Sequence, residues 1–228
     1  MPPRDSTSTQ TMIIAIDGPA AAGKSTVAKM VARELGLSFL DTGAMYRAVT
    51  MVALHRGVAV DDEEGCARIA RSVRLEFDTE GRIYVDGRIG EPAIRGDDVT
   101  RAVSPVSALS AVRAAVVPLQ RLEAERRGGI VAEGRDIGSV VFPKADFKFY
   151  LDASPEVRAR RRVNEMGEPE RYHEILEKIR ARDLADMTRK DSPLTKDPGA
   201  VVIDTDPLDA RGVAQAMLNR IRGRSASR

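Results

Sequence analysis

Apolar residues in this chain fall into short continuous runs, separated by longer stretches in which they recur every three to four residues. The runs predict buried parallel strands, and the longer spacing predicts amphipathic helices. Five strands are predicted in the main sheet, at residues 13–16, 37–40, 129–133, 147–151 and 200–203. Because helices are predicted between them, we expect an α/β fold: a doubly wound parallel sheet of about five strands flanked by helices.

The predicted helices are bounded by residues that commonly begin or end a helix. Thr42 and Ser154 are predicted N-caps, and Gly36 is a predicted C-cap. A bend is expected at Pro118, because proline removes one helical hydrogen bond. The predicted helices span residues 24–35, 42–56, 61–72, 94–103, 106–127, the segment after Ser154, 170–189 and 207–221.

Between residues 73 and 89 the pattern changes to strict alternation, interrupted by turns at 78–81 and 86–87. Alternation with close turns predicts a small antiparallel sheet. We expect an inserted lobe over about 73–105 within one domain that spans residues 12–222. The polar ends, 1–11 and 223–228, are predicted to be disordered tails.

The first predicted strand leads into Gly18-x-x-x-x-Gly23-Lys24-Ser25, the phosphate-binding P-loop pattern. The glycines let backbone N–H groups approach phosphate oxygens, and the following helix directs its positive end at the same anion. Lys24 adds a charge for the β- and γ-phosphates, and the Ser25 hydroxyl is a ligand for Mg²⁺. The predicted ATP-binding residues are Gly18, Pro19, Ala20, Ala21, Ala22, Gly23, Lys24, Ser25 and Thr26.

Composition narrows the class of protein. A net charge of +2 argues against a dedicated nucleic-acid surface. The sequence contains no apolar run of about 18 residues, and residues 1–11 lack the apolar centre of a signal peptide. The single cysteine, Cys66, fits a reducing compartment, so a cytoplasmic protein without a membrane partner is expected. We expect a monomer, because the sequence shows no long exposed apolar stripe.

What the protein does with a bound nucleotide depends on residues outside the P-loop. The chain lacks the Asn-Lys-x-Asp element of guanine-binding switches and the acidic pair of motor ATPases, for which residues 133–136 are the nearest candidate. Arginines instead lie at predicted loop ends and on a helix predicted to face the carboxyl edge of the sheet, where they suit two polyphosphates held close together. They are Arg47, Arg113, Arg135, Arg158, Arg161, Arg162, Arg182 and Arg189.

Four segments make the interpretation specific: residues 16–26, 40–47, 132–143 and 180–189. In sequence and order they resemble bacterial cytidylate kinases, members of the P-loop nucleoside monophosphate kinase superfamily. The resemblance covers residues 12 to about 222. It implies a P-loop kinase fold with an arginine-rich lid over about 155–169. It also implies transfer of the γ-phosphoryl group of ATP to CMP or dCMP, with Mg²⁺.

The resemblance also implies roles for particular residues. The positions that match the family's base-binding residues are Ser104, Arg113 and Asp136. Those that match its ribose and phosphate contacts are Thr42, Tyr46, Arg47, Arg135, Arg182, Asp186 and Arg189, with Thr42 in place of an expected serine. The residues expected to act in catalysis are Lys24, Arg158, Arg162 and Arg189.

Simpler interpretations remain open for these residues. Asp136 could cap the turn that follows it, and Arg182 and Asp186 could form a solvated i,i+4 ion pair. The two histidines, His55 and His173, are expected to be incidental, because the acceptor phosphate is itself an anionic nucleophile near neutral pH. The alternative functions are another P-loop kinase, acting on UMP, AMP or a shikimate-type acceptor, and a regulatory protein that binds ATP without turnover.

Overall fold

Eight β-strands in two sheets organise residues 12–225, the part of the chain that the computed structural model describes. The strands are β1 (Met12–Asp17), β2 (Ser38–Asp41), β3 (Leu75–Phe77), β4 (Ile83–Val85), β5 (Arg88–Ile89), β6 (Gly129–Gly134), β7 (Phe147–Asp152) and β8 (Val201–Asp204). The main sheet is parallel, with the order β2-β6-β1-β7-β8, and β3, β4 and β5 form the antiparallel sheet. Both sheets confirm the sequence prediction.

Helices separate these strands and cover both faces of the main sheet. They are α1 (Lys24–Leu35), α2 (Thr42–His55), α3 (Glu63–Ser72), α4 (Asp97–Ala108), α5 (Ser110–Arg127), α6 (Pro155–Met166), α7 (Tyr172–Thr188) and α8 (Ala210–Ser225). On one face α1 and α8 pack against β1 and β7, and on the other face α5 contributes to the core beside β6. Burial on both faces explains why the central strands read as continuous apolar runs.

The strand register brings three acidic residues to the carboxyl edge of the main sheet. Asp17 ends β1 beside Gly134 of β6, and Asp41 ends β2 beside Glu133. All three carboxylates are buried. In open α/β sheets this edge is where ligands bind, so these acids lie at the expected position of the site.

Several predicted helix boundaries are wrong. The N-cap of α2 is Asp41 rather than Thr42, because the Asp41 carboxylate accepts a hydrogen bond from the N–H of Ala44. Pro105 lies inside α4, and α5 continues through Pro118. The break between α4 and α5 falls at Leu109, whose extended backbone turns the chain by 95°.

The remaining differences lie toward the C-terminal half of the chain. A short π-helix, Ile137–Val141, occupies the predicted connection after β6. Helix α8 begins at Ala210 and extends to Ser225, beyond the predicted end at Ile221. Residues 1–11 and 226–228, which belong to the predicted tails, lie outside the described residues.

The small antiparallel sheet shares its core with the helices around it. Ile83 and Val85 of β4 are buried together with residues of α2, α3 and α5. Cys66 is fully buried in the same cluster, which agrees with a packing role. The inserted strands therefore depend on the surrounding helices for their burial.

Among residues 12–225, no single helix is both long and apolar enough to cross a bilayer. Helices α4 and α5 meet that requirement by length and composition only as a pair, bent by 95°.

Candidate active site

The segment between β1 and α1 forms the loop that the sequence predicts for phosphate binding. Gly18 and Gly23 have φ angles of 149° and 83°, which strain any residue with a side chain. A Cβ atom at Gly18 would also collide with the carbonyl oxygen of Leu151 in β7. Gly23 precedes α1 directly, and none of the described side chains caps the first turn of this helix. The free N–H groups of that turn make an anion site.

Lys24 is the first residue of α1, and its ammonium group folds back over the loop. Its side chain is buried, and Nζ donates a hydrogen bond to the carbonyl oxygen of Pro19 at 2.7 Å. Burial and the nearby charge of Arg135 lower the pKa of Lys24, while Glu133 acts in the opposite direction. An anion bound beside this ammonium group would therefore stabilise its charged form.

Glu133, at the carboxyl end of β6, places a carboxylate beside Lys24 and Ser25 of the loop. Its carboxylate accepts a hydrogen bond from the Ser25 hydroxyl. Burial and the charge of Asp41 raise its pKa. Sequence reasoning missed this residue, although an acid that ends an apolar strand occupies the position at which P-loop proteins hold Mg²⁺. A search for an acidic pair passes over Glu133, because glycine and arginine follow it in sequence.

Ser25 and Glu133 fit a magnesium ion by the chemistry of their donor atoms. A hydroxyl and a carboxylate oxygen lie in contact beside the phosphate-binding loop. Mg²⁺ in nucleotide sites takes one or two such protein oxygens and completes its shell with phosphate oxygens and water. These two residues are therefore the candidates to hold the ion.

Four of the residues predicted to bind the acceptor nucleotide meet in one buried cluster. The Arg113 guanidinium donates a hydrogen bond to the Asp136 carboxylate, and each side chain is only 6% exposed. The same guanidinium lies over the ring of Tyr46, 5.5 Å from its centre. Arg189 also belongs to this cluster, with its Nη2 atom 3.5 Å from Asp136 Oδ1. Asp136 does not use its side chain to cap the following π-helix, so the capping interpretation is wrong.

A second cluster forms around Asp186 near the end of α7. Arg135 Nε donates a hydrogen bond to Asp186 Oδ2 at 2.7 Å, and Arg182 Nε lies 3.9 Å from the same oxygen. Two donor atoms, Arg182 Nε and Arg189 Nη2, are buried without a hydrogen-bond partner among residues 12–225. Buried donors in folded proteins normally make hydrogen bonds, so donors that lack one at a sheet edge favour a ligand site over a solvated ion pair.

The other predicted acceptor-site residues lie around these clusters. The Thr42 hydroxyl donates to the carbonyl oxygen of Glu133 at 2.7 Å, which ties α2 to β6. Arg47 reaches across to α4, where Nη1 is 3.0 Å from the Thr100 hydroxyl. Ser104 lies half-buried further along α4. Helix α4 therefore faces the site from the side of the inserted lobe.

The two arginines predicted to act from the lid have different environments. Arg158 is 2% exposed; it donates to the carbonyl oxygen of Ala20 in the P-loop at 2.9 Å and to Asp183 of α7 at 3.1 Å. Arg162, one turn later on α6, is half-exposed and pairs with Glu165 on the same helix. The geometry favours a positioning role for Arg158, whereas the exposed Arg162 side chain is accessible to a ligand. Both catalytic assignments stay predictions.

The arginines at the carboxyl edge of the main sheet repel one another. Burial, and then the charge of Arg135, lower the pKa of Arg182 to about 10. Burial and Arg95 lower the pKa of Arg47 in the same way. Cations that are held together and partly shielded from water are stabilised when polyanions bind between them. The carboxyl edge of the main sheet is therefore suited to two phosphate-bearing ligands.

A parallel sheet with a P-loop after its central strand and a cluster of arginines paired with carboxylates at the same edge defines a P-loop kinase. The chain belongs to the cytidylate kinase family, whose model matches residues 14–223. A cytidylate kinase of Caldanaerobacter subterraneus is 46% identical over 215 residues, which cover 93% of this chain and 95% of the relative. A cytidylate kinase of Mycobacterium avium is 44% identical over 220 residues, covering 94% and 96%.

Solved structures support the fold independently. An uncharacterized protein from Eubacterium ventriosum superimposes with a TM-score of 0.53, and the match covers 93% of this chain and 99% of that protein. The identity is only 11%, so this likeness concerns the fold and carries no information on the substrate.

Proposed function

We propose that this chain transfers the γ-phosphoryl group of ATP to CMP or dCMP, giving ADP and CDP or dCDP. The observation that carries the proposal is the buried Arg113–Asp136 pair, which lies at the same sheet edge as the P-loop. It provides fixed hydrogen-bonding groups for a base beside a loop built for a triphosphate. The names of the relatives agree with this substrate pair.

The base-binding residues would select cytosine by hydrogen-bond polarity. Cytosine presents an amino donor at N4 and acceptors at N3 and O2. The Asp136 carboxylate can accept from N4, while Arg113 and Ser104 can donate to the acceptors. Uracil would place a carbonyl oxygen against Asp136, and a buried polar group left without its partner is costly.

The ribose and the acceptor phosphate would bind between α2, α4 and α7. Asp186 is placed to accept a hydrogen bond from a ribose hydroxyl, because the arginines on either side hold its carboxylate. Thr42 and Tyr46 line the approach from α2. The phosphate would be neutralised by the surrounding arginines, namely Arg47, Arg135, Arg182 and Arg189.

On the donor side, the N–H groups of the loop from Gly18 to Thr26 would cradle the ATP phosphates, with Lys24 on the β- and γ-phosphates. Ser25 and Glu133 would hold Mg²⁺, which supplies charge neutralisation for those phosphates. The acceptor phosphate needs no general base, because its second pKa of about 6 leaves it largely anionic at neutral pH. Closure of the lid over residues 155–169 would bring in Arg162 and exclude water.

The proposal is tested by ADP release from ATP and Mg²⁺ with a panel of acceptors. The panel contains CMP, dCMP, UMP, AMP, GMP and shikimate, with a reaction that lacks any acceptor. Strong turnover with CMP and dCMP and weak turnover with UMP is the expected result. Turnover only with another acceptor would replace the base assignment, and ATP binding without any turnover would favour a regulatory protein.

Glu133→Gln is expected to raise the Mg²⁺ concentration that gives half-maximal rate by about tenfold or more. The amide retains a hydrogen-bonding partner for Ser25 but removes the negative charge that attracts the ion. The measurement is the initial rate against Mg²⁺ at saturating CMP. Glu34→Gln is the matched control, because Glu34 lies at the opposite end of α1, in an exposed pair with Arg222. An unchanged Mg²⁺ dependence would remove Glu133 from the metal site.

Asp186→Ala is expected to lower kcat/KM for both CMP and dCMP, and to lower it about tenfold more for CMP. Both substrates lose the carboxylate that orients Arg135, but only CMP also loses a partner for its 2′-hydroxyl. The ratio of the two kcat/KM values is the measurement, and it corrects for any general loss of folded enzyme. Unchanged kinetics with both substrates would leave Asp186 with a structural role only, as the ion-pair partner of Arg135 and Arg182.

A further inference from the structure

Asp17 is a buried acid that the mechanism above does not use. It is the last residue of β1, immediately before Gly18 of the P-loop, and its side chain points across to the segment after β6. Oδ1 accepts a hydrogen bond from the N–H of Ile137 at 2.7 Å, and Oδ2 accepts one from the N–H of Gly138 at 2.8 Å. One carboxylate therefore holds two consecutive backbone donors.

These two donors begin the π-helix Ile137–Val141, which directly follows Asp136. The first N–H groups of a helical turn need an acceptor, and the residue before the turn commonly supplies it from its own side chain. Asp136 occupies that capping position but makes no capping hydrogen bond. Asp17 supplies the acceptors from a different strand, which leaves the Asp136 carboxylate free to face Arg113.

The arrangement is costly for the fold. Burial and the charge of Asp136 raise the pKa of Asp17 to about 6, although the two N–H groups and Lys24 act against this. A raised pKa means that the ionised carboxylate is disfavoured in the folded protein relative to the unfolded chain. A cap from Asp136 itself would avoid that cost but would occupy the base-binding carboxylate.

We propose that Asp17 is a positioning residue. By capping the π-helix after Asp136, it leaves the Asp136 carboxylate free to bind the acceptor base, and it ties that π-helix to the start of the P-loop. The role rests on the proposed function, since it concerns the cytosine-binding carboxylate of that reaction. It also gives the donor and acceptor sites a direct covalent and hydrogen-bonded connection, from Gly18 through Asp17 to the residue after Asp136.

The test is Asp17→Asn in the full chain, assayed with ATP and Mg²⁺ against CMP and UMP. Asparagine keeps one acceptor oxygen but presents an NH₂ group to the second backbone donor, so the turn should shift. The KM for CMP is expected to rise about tenfold, the value for one hydrogen bond to a charged acceptor, and the preference for CMP over UMP should fall. The KM for ATP should stay close to that of the wild type.

Asp146→Asn is the matched control. The Asp146 carboxylate accepts a hydrogen bond from the N–H of Ile13 at 2.9 Å, near the other end of the same strand. It is expected to change the midpoint of thermal unfolding without changing the ratio of the CMP and UMP rates. If Asp17→Asn does not fold, Asp17→Ser provides a smaller side chain with one hydroxyl acceptor and is assayed in the same way.

The results separate this inference from the proposed function. If the wild type phosphorylates CMP, but the KM values of the Asp17 variant for CMP and ATP are unchanged or rise together, only the positioning role is overturned. A wild-type enzyme that does not phosphorylate CMP would remove the basis of both. A selective loss of CMP affinity and of base preference, in a variant with a cooperative unfolding transition, supports the inference.

Discussion

Lys24→Ala is expected to lower kcat for CMP phosphorylation by about a thousandfold, in a protein that still folds. The ammonium group lies inside the P-loop, 2.7 Å from the carbonyl oxygen of Pro19 and buried among other charges. Removing one preorganised donor to the charge that develops in a transition state costs about 10²- to 10³-fold, and Lys24 carries a full charge. The measurement is the initial rate of ADP formation at saturating CMP and Mg²⁺.

The same substitution should leave thermal stability unchanged or slightly raised. The pKa of Lys24 is lowered by burial and by Arg135, so its charged form opposes folding below the unfolded pKa, and alanine removes that cost. Lys29→Ala is the control, because Lys29 is an exposed lysine on the same helix, with its ammonium group over the ring of Phe39 at 5.3 Å from the ring centre. Near-normal turnover in the Lys24 variant would overturn the P-loop assignment.

Asp136→Asn is expected to lower kcat/KM for CMP by about a hundredfold and to reduce the preference for CMP over UMP. The carboxylate can only accept a hydrogen bond, which suits the amino group of cytosine, whereas the amide can also donate to the carbonyl group of uracil. Asparagine is preferred to alanine because it still pairs with Arg113. Loss of one partner from a buried ion pair costs about 3–5 kcal/mol, which would mix a folding defect with the kinetics.

The KM for ATP in the Asp136 variant is the internal control. Asp136 belongs to the cluster with Arg113, Tyr46 and Arg189, and the structure gives it no hydrogen bond to the P-loop segment. The KM for ATP should therefore remain close to the wild-type value. Equal losses of kcat/KM for ATP and CMP would show that Asp136 supports both binding sites at the carboxyl edge of the main sheet and does not recognise the base.

Local sequence signals were sufficient for the main sheet and the P-loop. The central strands are apolar on both faces, so their runs stand out without knowledge of the fold, and all five are present in the structure. The glycines of the loop are required by backbone conformation, which is a local property. The four motifs that resemble cytidylate kinases contain most of the site residues, and the matches over residues 14–223 confirm the family.

Proline positions were less informative about the helices. Pro105 and Pro118 both lie within continuous helices, and the chain turns instead at Leu109, where no proline or glycine marks the break. Packing of α4 and α5 against the shared core outweighs the loss of one hydrogen bond at each proline. A local propensity could not reveal this, because the compensating contacts come from residues distant in sequence.

What the sequence determined by itself is the set of elements and the chemistry that each carries: the strands, the phosphate loop and the arginines. What only the tertiary structure decided is how those groups are paired. Glu133 meets Ser25 across 108 positions, Arg113 meets Asp136, and Asp17 caps a turn 120 positions away. Pairings of this kind depend on strand order and register, which bring distant residues to one edge of the sheet and which no local pattern encodes.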